Sequence, residues 1–140
     1  MDEFDIVLDA GVSETQFNVA QMVSNAANAV KDGGYVLHFN AASRINYGFW
    51  NFNPKVYWNF YRTNGFQIEG IWWVKGESVV LASPKDGGKC AADVSLMCVA
   101  RRVGRIPIEW PKLEDDWQPS QMVITPACAP LLVTGFTAQT

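Results

Sequence analysis

Between residues 4 and 103 the apolar positions change period several times, and each change marks an element. Phe4, Ile6 and Leu8 alternate with Asp5, Val7 and Asp9, the period of two expected of a strand, and the run stops at Gly11. Its unbroken Ile6-Val7-Leu8 centre is the composition of a strand covered on both faces. From Val19 the spacing lengthens: Val19, Met22, Val23, Ala26, Ala27 and Val30 fall on one face of a helix. Each large member of that stripe contributes roughly 1.5–3 kcal/mol when buried. Asn18 is placed to cap this helix, with Gln21 three residues on to reach back. Lys31 suits the negative end, and Gly33-Gly34 supplies the positive-φ residue that stops it. Residues 35–39, Tyr-Val-Leu-His-Phe, form a second strand.

Strand, crossover helix and strand in so short a run make a βαβ unit whose two strands are parallel neighbours. A second unit follows. Asn53-Pro54 opens a helix striped by Val56, Tyr57, Phe60 and Tyr61, Asn64-Gly65 closes it, and residues 66–74 form the next strand. The turn-rich Ser83-Pro84-Lys85-Asp86-Gly87-Gly88 leads to a buried strand at 94–100, with Arg101-Arg102 as its solvated end. Past Gly104 five of the seven prolines, at 107, 111, 119, 126 and 130, punctuate a stretch without helical period. Two segments result: 1–103, an α/β unit, and 104–140, a proline-punctuated tail that is either an irregular arm or disorder.

Composition narrows the function classes. A net charge of -3 without a basic cluster gives no electrostatic reason for this segment to hold a phosphate backbone or an anionic membrane. Three scattered cysteines and one histidine indicate neither a disulfide framework nor a metal site, so the expected setting is a reducing cytoplasm. The longest late apolar stretch, 127–133, is too short to span a bilayer.

Four landmarks in order resemble a class I S-adenosylmethionine-dependent methyltransferase. They are Phe4-Asp5-Ile6-Val7 followed by Gly11-Val12-Ser13-Glu14; Lys31-Asp32-Gly33-Gly34 leading into Tyr35; the aromatic run Asn46-Tyr47-Gly48-Phe49-Trp50-Asn51-Phe52-Asn53-Pro54 with Asn64-Gly65-Phe66; and the strand ending at Arg102. They are similar to the family's fourth strand, the approach to its fifth, the aromatic helix start before its sixth, and its final antiparallel strand. The resemblance covers about residues 3–103. It implies a partial Rossmann-like fold with a mostly parallel sheet and an antiparallel last strand. The family's glycine-rich turn and the acidic residue ending its second strand have no counterpart, and Thr15-Gln16 stand where a histidine often follows the glutamate.

The resemblance therefore implies the C-terminal half of a methyltransferase acting on an unknown acceptor, truncated or split and inactive alone. Such a half takes S-adenosylmethionine only with its missing N-terminal half. In a complete sheet the opening strand is central; without that half it is an apolar edge open to a complementary segment or a second copy. A non-catalytic partner subunit or relic docking through that edge is the alternative reading. A third is an independent module whose aromatic loop takes a small ligand.

Ligands of open α/β sheets bind beyond the carboxyl ends of the strands. That rule and the resemblance together place Asp9, Ala10, Gly11 and Glu14 as cofactor contacts and Asn40 with the following loop at the acceptor. His38, the single histidine, is the candidate general base, set against the reading of a satisfied core residue. Tyr47, Phe49 and Trp50 are candidate acceptor walls, whereas Tyr57 and Phe60 are read as packing. Cys98 is read as a small buried hydrophobe.

Overall fold

A computed structural model describes residues 4–82 and 91–111. Its strands are β1 (Phe4–Ala10), β2 (Val30–Ala41), β3 (Phe66–Lys75), β4 (Ser78–Leu81) and β5 (Ser95–Arg102), with helices α1 (Val19–Ala29) and α2 (Pro54–Thr63). A single 3-10 turn, Ser13–Thr15, follows β1. The strands form one mixed sheet in the order β1-β2-β5-β3-β4. Only the β1–β2 pair is parallel; β2–β5, β5–β3 and β3–β4 are antiparallel. The expectation of a mostly parallel sheet is thus corrected. The reason lies in the insertion of β5: it separates β2 from β3, so the two strands joined through α2 point the same way without touching. The β4 hairpin arm was not expected, and the segment 83–90 lies outside the described residues.

Helix α1 starts where the cap places it. Asn18 Oδ1 accepts from the Gln21 amide at 3.2 Å, although the Gln21 side chain pairs forward with Asn25 at 2.7 Å instead of reaching back. Its end differs from expectation. The helix stops at Ala29, and Val30 is already extended with φ -86° and ψ 140°. Gly33, at φ +79°, therefore caps no helix. It sits in an irregularity of β2, where the register with β1 passes from Phe4–Val30 to Ile6–Tyr35. Val30 still reaches the core, as a strand residue. Helix α2 begins at Pro54 and ends before Gly65, whose φ of +74° needs glycine.

One core joins both helices to one sheet face. Val23 and Ala27 of α1 and Tyr57, Phe60 and Tyr61 of α2 pack with Val36, Ile68, Ile71, Leu96, Cys98 and Ala100. The register sets Val7 and Asp9 beside Val36 and His38, on this covered face. Phe4, Ile6 and Leu8 point to the other face, where Ile6 is 62% and Leu8 65% exposed. The apolar centre of β1 is therefore covered on one side only, and among the described residues β1 pairs with β2 alone. Arg102 also departs from expectation. It is buried, donates to Val30 O at 2.9 Å and lies over the Phe66 ring, while Arg101 stays in solvent.

The first part of the proline-punctuated tail is an irregular arm laid against α2. Val103 and Gly104 amides donate to Gly65 O at 3.0 and 3.1 Å. Asn64 holds Glu109 through both backbone groups, at 2.9 and 2.7 Å, and Trp110 packs on Phe60. Pro119, Pro126 and Pro130 lie outside the described residues. Among the described residues no helix is long and apolar enough to cross a membrane.

Candidate functional site

The parallel pairing of β1 with β2 sets Asp9 beside His38, and the two side chains meet beneath α2. His38 Nδ1 donates to Asp9 Oδ2 at 2.6 Å, and His38 Nε2 lies 2.5 Å from the Tyr61 hydroxyl. Because a carboxylate can only accept, the Nδ1 proton is fixed. Nε2 of a neutral ring then accepts from the Tyr61 O–H. The Asn40 amide nitrogen donates to the same Asp9 oxygen at 2.7 Å and to the Tyr57 hydroxyl at 2.8 Å. The opposite amide orientation would set two acceptor oxygens against each other, so the assignment follows from charge. Asp9 Oδ1 accepts the backbone amides of Val12 and Ser13 at 3.2 and 3.0 Å and so shapes the turn after β1.

The network is closed to solvent: His38, Tyr57 and Tyr61 are each 0% exposed. Burial pushes the Asp9 carboxyl upward. Hydrogen bonds from His38, Asn40 and Ser13 overcome that and hold it well below the usual carboxylate range. Burial raises both tyrosines well above the ordinary phenol value. Burial likewise raises Cys98, which pairs across the sheet with His38. Asn40 Oδ1 is the buried acceptor of the cluster with no donor among the described residues.

Glu14 forms a second hub. The 3-10 turn buries its side chain, one carboxylate oxygen accepts from the Ala41 amide, and its backbone carbonyl accepts from Phe49 and Trp50 at 2.8 and 3.3 Å. It thus ties the ends of β1 and β2 to the aromatic loop. Gly48 makes this approach possible, since a Cβ there would lie 2.6 Å from the Glu14 carbonyl oxygen. Gly11, at φ +76°, turns the chain and donates to Phe39 O at 2.9 Å. Ala10 is exposed at the end of β1.

The sequence candidates thus divide into two groups. Asp9, His38 and Asn40 come together while Glu14 engages the neighbouring Ala41 amide, and all four face inward, each engaged with the protein itself. His38 has no exposed surface for contact with a substrate, which places it in the core and not on the open cleft. Tyr47, Phe49 and Trp50 stay at the surface. Arg44 stacks on Tyr47 with 5.0 Å to the ring centre, Phe49 meets Phe17 edge to face at 5.9 Å, and Trp50 donates to Gln16 O at 3.0 Å.

Sequence reasoning missed the hydroxyl roles of Tyr57 and Tyr61 and the participation of Phe17, which is 79% exposed. The tyrosines carried a usable signal: a buried Tyr hydroxyl requires a partner, and His38 and Asn40 are polar residues two apart on the strand face beneath them. Phe17 carried none, being an isolated aromatic in a turn. Among the described residues no cluster of His, Cys, Asp and Glu is arranged to hold a metal ion. No protein-family model, curated protein or solved structure matches this chain.

Proposed function

We propose that this chain supplies the C-terminal half of a Rossmann-like S-adenosylmethionine-dependent methyltransferase domain and is completed by pairing along β1. The observation that carries the reading is the state of β1. The strand that the resemblance makes central has one unpaired edge among the described residues and an apolar face in solvent. The order of the co-directional strands β1, β2 and β3, with antiparallel β5 lying between β2 and β3, supports the same reading.

The residues present do not make a cofactor site by themselves. Holding the cofactor's ammonium requires a carboxylate that faces the ligand, whereas Asp9 has both oxygens occupied and Glu14 is buried against Ala41. In this reading their contribution is to stiffen the carboxyl ends of β1 and β2 and to fix the aromatic loop. The cofactor contacts come from the completing segment, whether that is further chain or a separate protein.

A second reading draws on the same inward-facing acids: a non-catalytic subunit that uses the β1 edge only to dock. S-adenosylhomocysteine binding separates the two. We expect no saturable binding to the chain alone, and saturable binding once it is co-purified with a partner carrying a glycine-rich strand-turn-helix. A partner that joins at β1 without conferring binding favours the docking subunit. Saturable binding to the chain alone overturns the account of the acids.

A further inference from the structure

The arm that follows β5 is irregular backbone from 103 to 111, and it is held at two places. Near its start the Val103 and Gly104 amides donate to Gly65 O at 3.0 and 3.1 Å. Near its end the Asn64 side chain acts as a clasp: Nδ2 donates to Phe60 O at 2.7 Å and to Glu109 O at 2.9 Å, and Oδ1 accepts from the Glu109 amide at 2.7 Å. A carbonyl only accepts and an amide N–H only donates, so one orientation of the side chain alone serves all three groups. Trp110 packs on Phe60 with 5.9 Å between ring centres. The two residues that hold the arm are adjacent, and they form the only Asn-Gly pair in the sequence.

That pair carries chemistry of its own. Glycine has no Cβ to crowd its backbone nitrogen, which leaves Gly65 N open to attack Cγ of Asn64. The new N–Cγ bond closes a five-membered succinimide, the Cγ–Nδ2 bond breaks, and Nδ2 leaves as ammonia with the Gly65 amide proton. Water then opens the ring. Cleavage of the new N–Cγ bond gives aspartate, and cleavage of the original peptide bond gives isoaspartate; either way the residue gains water and loses ammonia. In the folded chain Asn64 is fully buried, and turning its side chain onto Gly65 N breaks all three clasp bonds.

We propose that Asn64-Gly65 is a deamidation site gated by the arm, and that its conversion releases the arm irreversibly. The gate is the local opening of the arm, since a short irregular segment opens at a lower free energy than the sheet beneath it. Irreversibility follows from the product. A carboxylate has no donor, so the oxygen that replaces Nδ2 faces the Phe60 and Glu109 carbonyl oxygens. Isoaspartate also lengthens the backbone by a carbon and moves the Gly65 carbonyl away from the Val103 and Gly104 amides. Trp110 and Pro111 line the cavity between α1 and α2, so release withdraws one of its walls. The proposal does not depend on the methyltransferase reading and can stand or fall separately.

The test ages the whole chain in warm, mildly alkaline buffer and follows Asn64 by peptide mapping with mass spectrometry, beside the same chain in denaturing urea. Conversion is expected to be at least about tenfold slower in the folded chain than in urea, and Trp110→Ala, at a ring 58% exposed, is expected to speed it severalfold in the folded state. Equal rates folded and unfolded, or a Trp110→Ala chain that keeps its circular dichroism and converts no faster, overturn the gate. The second measurement needs no variant: converted chains, separated by their extra negative charge, are compared with unconverted ones by hydrogen exchange. Amides of 103–110 are expected to lose protection at least about tenfold, with β2 and β5 unchanged. An arm that keeps its protection after conversion overturns the release, and a sheet that loses protection with it overturns it equally, as general unfolding.

Discussion

Replacing Asp9 by asparagine tests whether the buried cluster is held by its carboxylate. The carboxylate accepts four hydrogen bonds on two oxygens: Val12 and Ser13 amides on one, His38 and Asn40 on the other. An asparagine retains one acceptor oxygen and turns an N–H toward whichever pair of donors it does not serve. Two hydrogen bonds are lost, and two donors face a third in a largely buried site. A hydrogen bond to a charged group contributes about 1.5–3 kcal/mol, so losing two costs about 3–6 kcal/mol. Against a total stability of about 5–15 kcal/mol, that removes about a fifth or more. Tyr61→Phe strips the partner from Nε2 of a fully buried ring and is expected to cost about 1–3 kcal/mol. Both changes act on the same imidazole, so the double variant should depart from additivity by about 0.5–3 kcal/mol. Urea unfolding of the three variants and the parent measures all of these. An Asp9→Asn change within about 0.5 kcal/mol, the range of an ordinary surface substitution, refutes the reasoning, as does strict additivity.

The titrations give opposite signs at the two ends of the pH scale. Asp9 is held below its unfolded value, so its stabilisation is complete above the unfolded value of about 3.9 and is lost as pH falls through the lower folded value; Asp9→Asn should flatten this acid limb in urea midpoints. Tyr57 and Tyr61 are raised, so their contribution is complete below about pH 10 and fades as pH rises beyond it; alkaline difference absorbance should show two phenols that ionise only on unfolding. Cys98 is buried with its thiol raised, and peptide mapping after alkylation should find it modified only in denaturant; labelling in the native protein contradicts its placement. Gly65→Ala forces a side chain into left-handed backbone and against the Gly104 carbonyl, and should lower stability by at least about 1–2 kcal/mol in thermal melts, with an unchanged melting point as the contrary result.

Much of the fold was legible because the signals were local. The period of two in β1, the Asn18 cap, the proline at the start of α2 and the apolar run of β5 each depend on a few neighbouring residues, and each element stands within a few positions of its sequence reading. The end of α1 was misread because Gly33-Gly34 serves a positive-φ need inside an irregular strand just as well as at a helix terminus. Strand order was not readable from periodicity: the insertion of β5 between β2 and β3 depends on pairing across some sixty residues of sequence, and together with the β3–β4 hairpin it made the sheet mostly antiparallel. For the site, spacing brought Asp9, Glu14, His38 and Asn40 to the strand ends, but not the direction in which they work. That direction is set by Tyr57 and Tyr61, whose ring periodicity marks them as core while their hydroxyls draw the polar residues inward.

The central claim is that β1 is an interface in waiting. Sedimentation velocity over a wide concentration range tests it most directly, comparing the chain with a variant carrying Ile6→Lys and Leu8→Lys on the exposed face of that strand. The account predicts concentration-dependent association of the parent chain and a monomer for the charged variant. A parent that sediments as a single monomer at every concentration contradicts it.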